Sequence, residues 1–268
     1  MSNDNPYRVT QVPISQGVSK TNRVYSAGEG EPLVFLHGPF GQEWPSILTS
    51  LAKQYRVIAP EIPGADDPRD LTALLSHWDL LVYYDELFDN LGLETFTLVG
   101  HSFGGMIAAE YAAIFRNRVR KLVLIDPMGL WLDEYPVADF VSGDIEELRQ
   151  LMWADGAPSE ADRFRPRTDI DPDDATEELL RNFLSIAAAA NFAHPIPDRG
   201  LKTRLHRISA PTQLLWGERD GFVDPAYGAG FHDKIPDARL KILAGAAHHP
   251  HIEREAESFE LLSAFFAD

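Results

Sequence analysis

The stretch Val99-Gly100-His101-Ser102-Phe103-Gly104-Gly105 decides how this chain is read. Gly100, Ser102 and Gly104 fit the pattern G-x-S-x-G. Phe96-Thr97-Leu98-Val99 before it is a short apolar run of strand formers. Met106-Ile107-Ala108-Ala109-Glu110-Tyr111-Ala112-Ala113 after it is rich in alanine and predicts a helix. A strand, a tight turn and a helix in that order would force Ser102 into a strained backbone conformation, with its hydroxyl lifted clear of a sheet. The glycines fit a place where strand and helix pass close together.

Working outward, apolar runs alternate with helical patterns. Leu33-Val34-Phe35-Leu36, Tyr55-Arg56-Val57-Ile58-Ala59 and Lys121-Leu122-Val123-Leu124-Ile125 read as buried strands. Residues 46–53 and 77–91 read as helices, and residues 7–27 as one or two opening antiparallel strands. Strands alternating with helices predict right-handed crossovers and a parallel, doubly wound sheet. The rhythm breaks after Gly129, where helical and acidic stretches at 145–153 and 175–191 replace strands. It resumes at Pro211-Thr212-Gln213-Leu214-Leu215-Trp216, continues through a helix at 226–234 and a strand at 240–243, and closes with a helix at 254–266. The expected layout is a core of residues 1–128 and 206–268 interrupted by a helical cap of residues 129–205.

The chain has 268 residues, 44% of them apolar, enough for one large α/β core. With 24 Lys and Arg against 41 Asp and Glu, the formal net charge is −17. Such a chain should repel nucleic acid and anionic membranes. There are no cysteines, which excludes disulfides and thiolate catalysis. The polar start Met1-Ser2-Asn3-Asp4-Asn5-Pro6 has no signal-peptide pattern, so a cytoplasmic protein is expected.

A serine hydroxyl is a weak nucleophile near neutral pH and needs a base oriented by an acid. On a doubly wound sheet these come from loops at the carboxyl ends of strands. His248 follows the last predicted strand, and Asp220 lies four residues past Trp216. Asp126 also follows a strand and is the alternative acid. Glu218 and Asp224 read as surface or loop-tying residues, and His37 and His101 as loop-holding ones.

The pieces His37-Gly38, Gly100 to Gly105, Trp216-Gly217-Glu218-Arg219-Asp220 and Gly245-Ala246-Ala247-His248-His249-Pro250-His251-Ile252-Glu253 resemble the α/β-hydrolase superfamily over nearly the whole chain. The lineage looks like the capped bacterial serine esterases and the meta-cleavage product hydrolases, which cut carbon–carbon bonds. The resemblance implies Ser102 as nucleophile, His248 as base and Asp220, in the commoner of two placements, as acid. It implies an oxyanion hole with Phe103 N–H as one donor. The residue after His37-Gly38 supplies the other in many relatives, but here it is Pro39, which has no N–H. Phe40 N–H, between Gly38 and Gly41, is the expected substitute. The loop Pro63-Gly64-Ala65-Asp66-Asp67-Pro68 also departs from the relatives' pattern.

Serine at the turn, where haloalkane dehalogenases and epoxide hydrolases carry Asp, implies acyl chemistry on an ester, and the apolar cap residues suggest short to medium uncharged ones. Trp131, Phe140, Met152 and Trp153 are the cap residues expected around an apolar pocket. Carbon–carbon cleavage is the alternative: Arg163, Arg165, Arg167 and Arg181 offer cations for a substrate carboxylate, although His101 and Phe103 flank Ser102 where those enzymes often have Asn and Met. A non-catalytic ligand-binding relative is the alternative of another class. No cofactor is expected and no metal either: His248, His249 and His251 cluster without a second set of ligands. The run Asp169-Ile170-Asp171-Pro172-Asp173-Asp174 misses the calcium-loop pattern and reads as a helix start. The expected partner is a small-molecule ester, with a homodimer left open, and neither nucleic acid nor membrane.

Overall fold

The computed structural model describes residues 6–42, 44–156 and 163–268. Among the described residues eight strands form one sheet: β1 (Arg8–Pro13), β2 (Thr21–Ala27), β3 (Pro32–Leu36), β4 (Arg56–Pro60), β5 (Phe96–His101), β6 (Val119–Ile125), β7 (Thr212–Gly217) and β8 (Ala238–Leu243). Their order is β1-β2-β4-β3-β5-β6-β7-β8. The pairs of β1 with β2 and β2 with β4 are antiparallel, and all others are parallel.

The helices are α1 (Ser46–Leu51), α2 (His77–Asn90), α3 (Ser102–Ile114), α4 (Ile145–Met152), α5 (Pro172–Ala193), α6 (Ala226–His232), α7 (Pro250–Glu253) and α8 (Glu255–Ala267). Successive residues of the central strands face opposite sides of the sheet. Val34 and Leu36 of β3 join the apolar cluster of α2 and α3, while Leu33 and Phe35 join that of α1 and α8. Burial on both faces is what the uninterrupted apolar runs demand.

The chain moves from β3 outward to β4, then returns to lay β5 on the other side of β3. Loops leaving β3 and β5 therefore diverge and open a crevice at the carboxyl ends of these strands. His37-Gly38 and Ser102 leave the sheet at that point.

Local signals set the helix ends. The Ser76 hydroxyl accepts from Asp79 N–H and donates to the Asp79 carboxylate, starting α2. Asp171 accepts from Asp173 N–H with Pro172 in the first turn, so the acidic run starts α5 as expected. The closing helix differs from the expected 254–266. Pro250 already opens a helical turn ahead of it, and the helix breaks at Arg254, whose φ of −128° and ψ of 50° are not helical.

Between residues 129 and 205 the described residues form α4, α5 and short 3₁₀ turns, and no strand. Residues 157–162 of the expected cap lie outside the described ones. Phe140, Leu148, Met152, Trp153, Ala188 and Phe192 of this stretch are buried in the same cluster as the core residues of α2 and α3. Among the described residues no helix is long and apolar enough to cross a membrane.

Candidate active site

Ser102 is the first residue of α3, immediately after β5, and its φ is +55°. A left-handed backbone at a non-glycine residue costs on the order of 1–3 kcal/mol and persists only where packing over-determines it. Here the determinant is the approach of α3 to β3. A Cβ on Gly104 would lie 2.1 Å from the Leu36 carbonyl oxygen, and Gly104 N–H donates to the His37 carbonyl at 3.0 Å. The turn can close only because residue 104 has no side chain.

Three loops converge on this turn. His248 Nε2 lies 2.8 Å from Ser102 Oγ, and His248 Nδ1 lies 2.8 Å from Asp220 Oδ2. A carboxylate at Nδ1 fixes the proton there and turns the Nε2 lone pair toward the hydroxyl. The other Asp220 oxygen accepts from Phe222 N–H at 2.8 Å and Val223 N–H at 2.9 Å. That loop is closed by Trp216 Nε1–H donating to the Val223 carbonyl at 2.9 Å.

Asp126 does not touch His248 in the way Asp220 does. Its Oδ1 accepts from Gly217 N–H at 2.9 Å. Of the two candidate acids, the structure sets Asp220 in hydrogen bond with the imidazole and Asp126 in hydrogen bond with the backbone of Gly217. Asp126, Asp220 and His248 form the sole group of three or more among the described residues whose carboxylate and imidazole atoms lie within 4.8 Å of one another. Burial, then the neighbouring negative charge of Asp220, pushes the Asp126 carboxyl well above the usual carboxylate range.

The remaining histidines have structural settings. His37 Nε2 accepts from Ile62 N–H at 3.1 Å while Nδ1 faces the Gly38 carbonyl at 2.7 Å, so the proton sits on Nδ1. His101 Nε2 meets the His248 carbonyl at 2.8 Å, tying the loop that carries His248 to the end of β5. His249 and His251 are buried rather than solvated, with His251 packed 4.6 Å from the His101 ring. Glu218 and Asp224 tie loops: Glu218 accepts from Gly245 N–H and Asp224 from Ala226 N–H.

The site is covered. Ser102 and His248 have no exposed surface. A cleft of about 20 Å³, room for one water, is bordered by their chain neighbours His101 and His249 and not by Ser102 or His248 themselves. Met152 and Trp153 line it, as expected of the cap, together with Phe40, Arg163 from the expected set of cap cations, and the unforeseen Phe164 and Arg149. Trp131 lies elsewhere, half-buried, its indole donating to Asp133. Phe140 is buried against Phe40 and Phe222, whose ring centroids lie 6.4 Å and 6.3 Å away, and is not part of the cleft wall. Phe222 packs on the His248 ring at 4.7 Å.

A larger cleft of about 490 Å³ lies on the other side of Arg163, bordered by Arg23, Tyr25, Trp44, Glu61 and Arg181. Its arginines are paired: Arg163 with Glu178 at 3.1 Å, Arg181 with Glu177 at 2.5 Å and Arg167 with Asp169 at 2.6 Å. Arg165 borders neither cleft and pairs with Glu146 at 2.8 Å.

Sequence reasoning gave no sign of how the end of α4 sits on the site. The Leu151 carbonyl accepts from Gly221 N–H at 3.0 Å and the Met152 carbonyl from His248 N–H at 3.0 Å. These are last-turn carbonyls, which a helix leaves unsatisfied, and no side-chain identity announces their partners.

The family model for the alpha/beta hydrolase fold matches residues 31–255. The chain belongs to the α/β-hydrolase fold family. Among curated α/β-hydrolase relatives, a 2-hydroxy-6-oxo-6-phenylhexa-2,4-dienoate hydrolase of Comamonas testosteroni is 29% identical, over 90% of this chain and 88% of its own. A 2-hydroxy-6-oxononadienedioate/2-hydroxy-6-oxononatrienedioate hydrolase of Pseudomonas putida is 30% identical, over 88% of this chain and 87% of its own. The solved meta-cleavage product hydrolase of Pseudomonas fluorescens IP01 superposes with a TM-score of 0.74 at 22% identity, over 96% of this chain and 97% of that one. The family, the fold and a hydrolase activity are therefore shared with these proteins.

Proposed function

We propose that this α/β-hydrolase is a serine carboxylesterase acting on short to medium uncharged esters through an acyl-enzyme on Ser102. The observation that supports it is the continuous hydrogen-bonded chain Ser102–His248–Asp220, with both links at 2.8 Å. His248 takes the Ser102 proton as the hydroxyl attacks the ester carbonyl, then gives it to the departing alkoxide. Water deacylates the enzyme by the same base. Asp220 holds the imidazole and stabilises its charged form.

The developing oxyanion needs donors. Phe103 N–H sits in the first turn of α3, where helices leave N–H groups without intrahelical acceptors. With Pro39 unable to donate, Phe40 N–H is the second donor in this reading. Residues 129–205 act as the cap, and substrate reaches Ser102 only when the cap shifts, because Ser102 and His248 are fully buried.

Carbon–carbon cleavage of a vinylogous diketone is the second reading. It is favoured by Arg149 and Arg163 in the wall of the small cleft, where a substrate carboxylate would want a cation, and by the activities named for the 29–30% identical relatives. Both readings use the same nucleophile.

Fluorophosphonate labelling followed by intact mass tests the shared part: wild type gains one adduct and Ser102→Ala none. An unlabelled wild type would favour the non-catalytic relative. Turnover of p-nitrophenyl esters from acetate to octanoate, set beside one meta-cleavage product, separates the two reactions. Rapid loss of the coloured dienoate with no ester turnover would put carbon–carbon cleavage first.

A further inference from the structure

Asp126 has no part in acyl transfer, yet it is a fully buried carboxyl next to the Asp220 carboxylate. Its backbone is held in place, with φ of +43° and N–H donating to the Leu215 carbonyl at 3.0 Å. Its Oδ1 is satisfied by Gly217 N–H. Its Oδ2 is buried and receives no donor from the described residues. Asp220, meanwhile, already accepts from Phe222 N–H, Val223 N–H and His248.

Two buried carboxylates side by side cannot both be charged. One must carry a proton and offer it to the other. Asp220 accepts from two backbone N–H groups and the imidazole. Asp126 has one N–H, no cation, and the further negative charge of Glu253 acting on it. The Gly217 N–H favours the charged form, but burial and the charges of Asp220 and Glu253 outweigh it and favour the neutral one.

We infer that Asp126 is a positioning residue that stays protonated near neutral pH and donates its Oδ2 proton as a hydrogen bond to the Asp220 carboxylate, extending the chain to Ser102–His248–Asp220–Asp126. No proton is transferred between the two acids. The bond fixes the Asp220 carboxylate and moderates the pull of its charge on the imidazole. An unmoderated Asp220 would hold the His248 imidazolium too firmly. That consequence rests on the proposed serine chemistry; the protonated acid does not.

The isosteric Asp126→Asn keeps both contacts, its oxygen accepting from Gly217 and its NH₂ donating to Asp220. Asp126→Ala removes both. The first measurement needs no activity. In the infrared spectrum at pH 7, wild type minus Asp126→Asn should show a protonated-carboxyl C=O band that moves in D₂O. Glu61, another buried acid, is common to both chains and cancels.

The second measurement is the pH dependence of fluorophosphonate labelling. Asp126→Asn should keep the acidic limb of wild type and a rate within about threefold of it. Asp126→Ala should label about tenfold more slowly, with its limb moved to higher pH because Asp220 lacks its donor. A purely structural loss would lower the rate without moving the limb. A difference spectrum without the band, or an Asp126→Asn limb displaced as far as that of Asp126→Ala, would overturn the inference. If neither chain takes up the label, the serine-nucleophile reading fails and the infrared band alone decides the state of Asp126.

Discussion

Trp153 lies flat on His249, with ring planes 3° apart and centroids 4.1 Å apart. The stack joins the last residues of the α4 segment to the residue after His248. With the Leu151 and Met152 carbonyls accepting from Gly221 and His248, the end of α4 grips the loops of both Asp220 and His248. A cap that moves must break or carry these contacts. Trp153→Ala removes the stack and a buried indole, and should cost about 3–5 kcal/mol in urea unfolding. The space opened beside Phe40 and Phe164 should also raise the octanoate-to-acetate ratio of kcat/KM. Trp153→Phe, which keeps a ring over His249, should lie between. An unchanged ratio in Trp153→Ala would show that this wall does not meet the acyl chain.

The two buried acids make opposite predictions. In Asp220→Asn the Oδ1 atom still accepts from Phe222 and Val223, so the loop should keep its shape. The amide would then present N–H₂ to His248 Nδ1, forcing the imidazole proton onto Nε2 and removing the lone pair that Ser102 needs. The expected loss in kcat is about 10⁴-fold, with little change in the unfolding midpoint. Asp126→Asn should lose far less. Equal losses in the two variants, measured on the same ester, would refute the assignment of Asp220 as the acid.

Glu61 carries a pH dependence of stability. Burial, with a smaller contribution from Asp66, pushes its carboxyl up to about 7, while Arg181 and Arg23 pull it back only in part. Between pH 4.5 and 7 the folded chain holds a proton that the unfolded chain releases. Stability from this group is therefore fully present below the ordinary carboxyl range and is lost as pH rises through about 7. The loss at pH 8 should be about 3 kcal/mol. Glu61→Gln keeps the neutral form at every pH. Its advantage over wild type in urea unfolding should be near zero at pH 4.5 and grow toward pH 8; a constant gap would place the cause elsewhere.

What the sequence announced, and what it withheld, follows from locality. Ser102 was legible because strand, turn and helix signals are contiguous and the glycines are required by backbone approach. Asp171 was legible as a helix start because capping is a contact over two residues. The order of Ser102, Asp220 and His248 could be ranked because each follows a strand. The partner of Asp126 could not be read, since it depends on how the ends of β6 and β7 lie side by side. The grip of α4 on the two loops is made by carbonyls that every residue has. Phe164 and Arg149 escaped notice because cap composition says nothing of which aromatic or cation turns inward, and Trp131, as large as Trp153, turns away.

The carboxyl end of β7 is as tightly fitted as the turn at Ser102. A Cβ on Gly217 would lie 1.8 Å from the Ala247 carbonyl oxygen and 2.8 Å from that of Ala246. These are backbone atoms of the loop that carries His248, so Gly217→Ala must push that loop away from β7. Gly217 N–H also holds Asp126, so both neighbours of Asp220 would shift together. A displacement of about 1 Å at a catalytic group costs on the order of 10²-fold in rate. The expected result is a folded protein with ester turnover and Ser102 labelling both lowered by about that factor. Gly230 in α6 is the control, since its added Cβ would meet only Leu130 at 3.4 Å, an ordinary contact. Gly230→Ala should keep full activity and gain up to about 1 kcal/mol from helix propensity. If Gly217→Ala labels at the wild-type rate, His248 tolerates a displacement that the hydrogen-bonded chain to Ser102 does not allow.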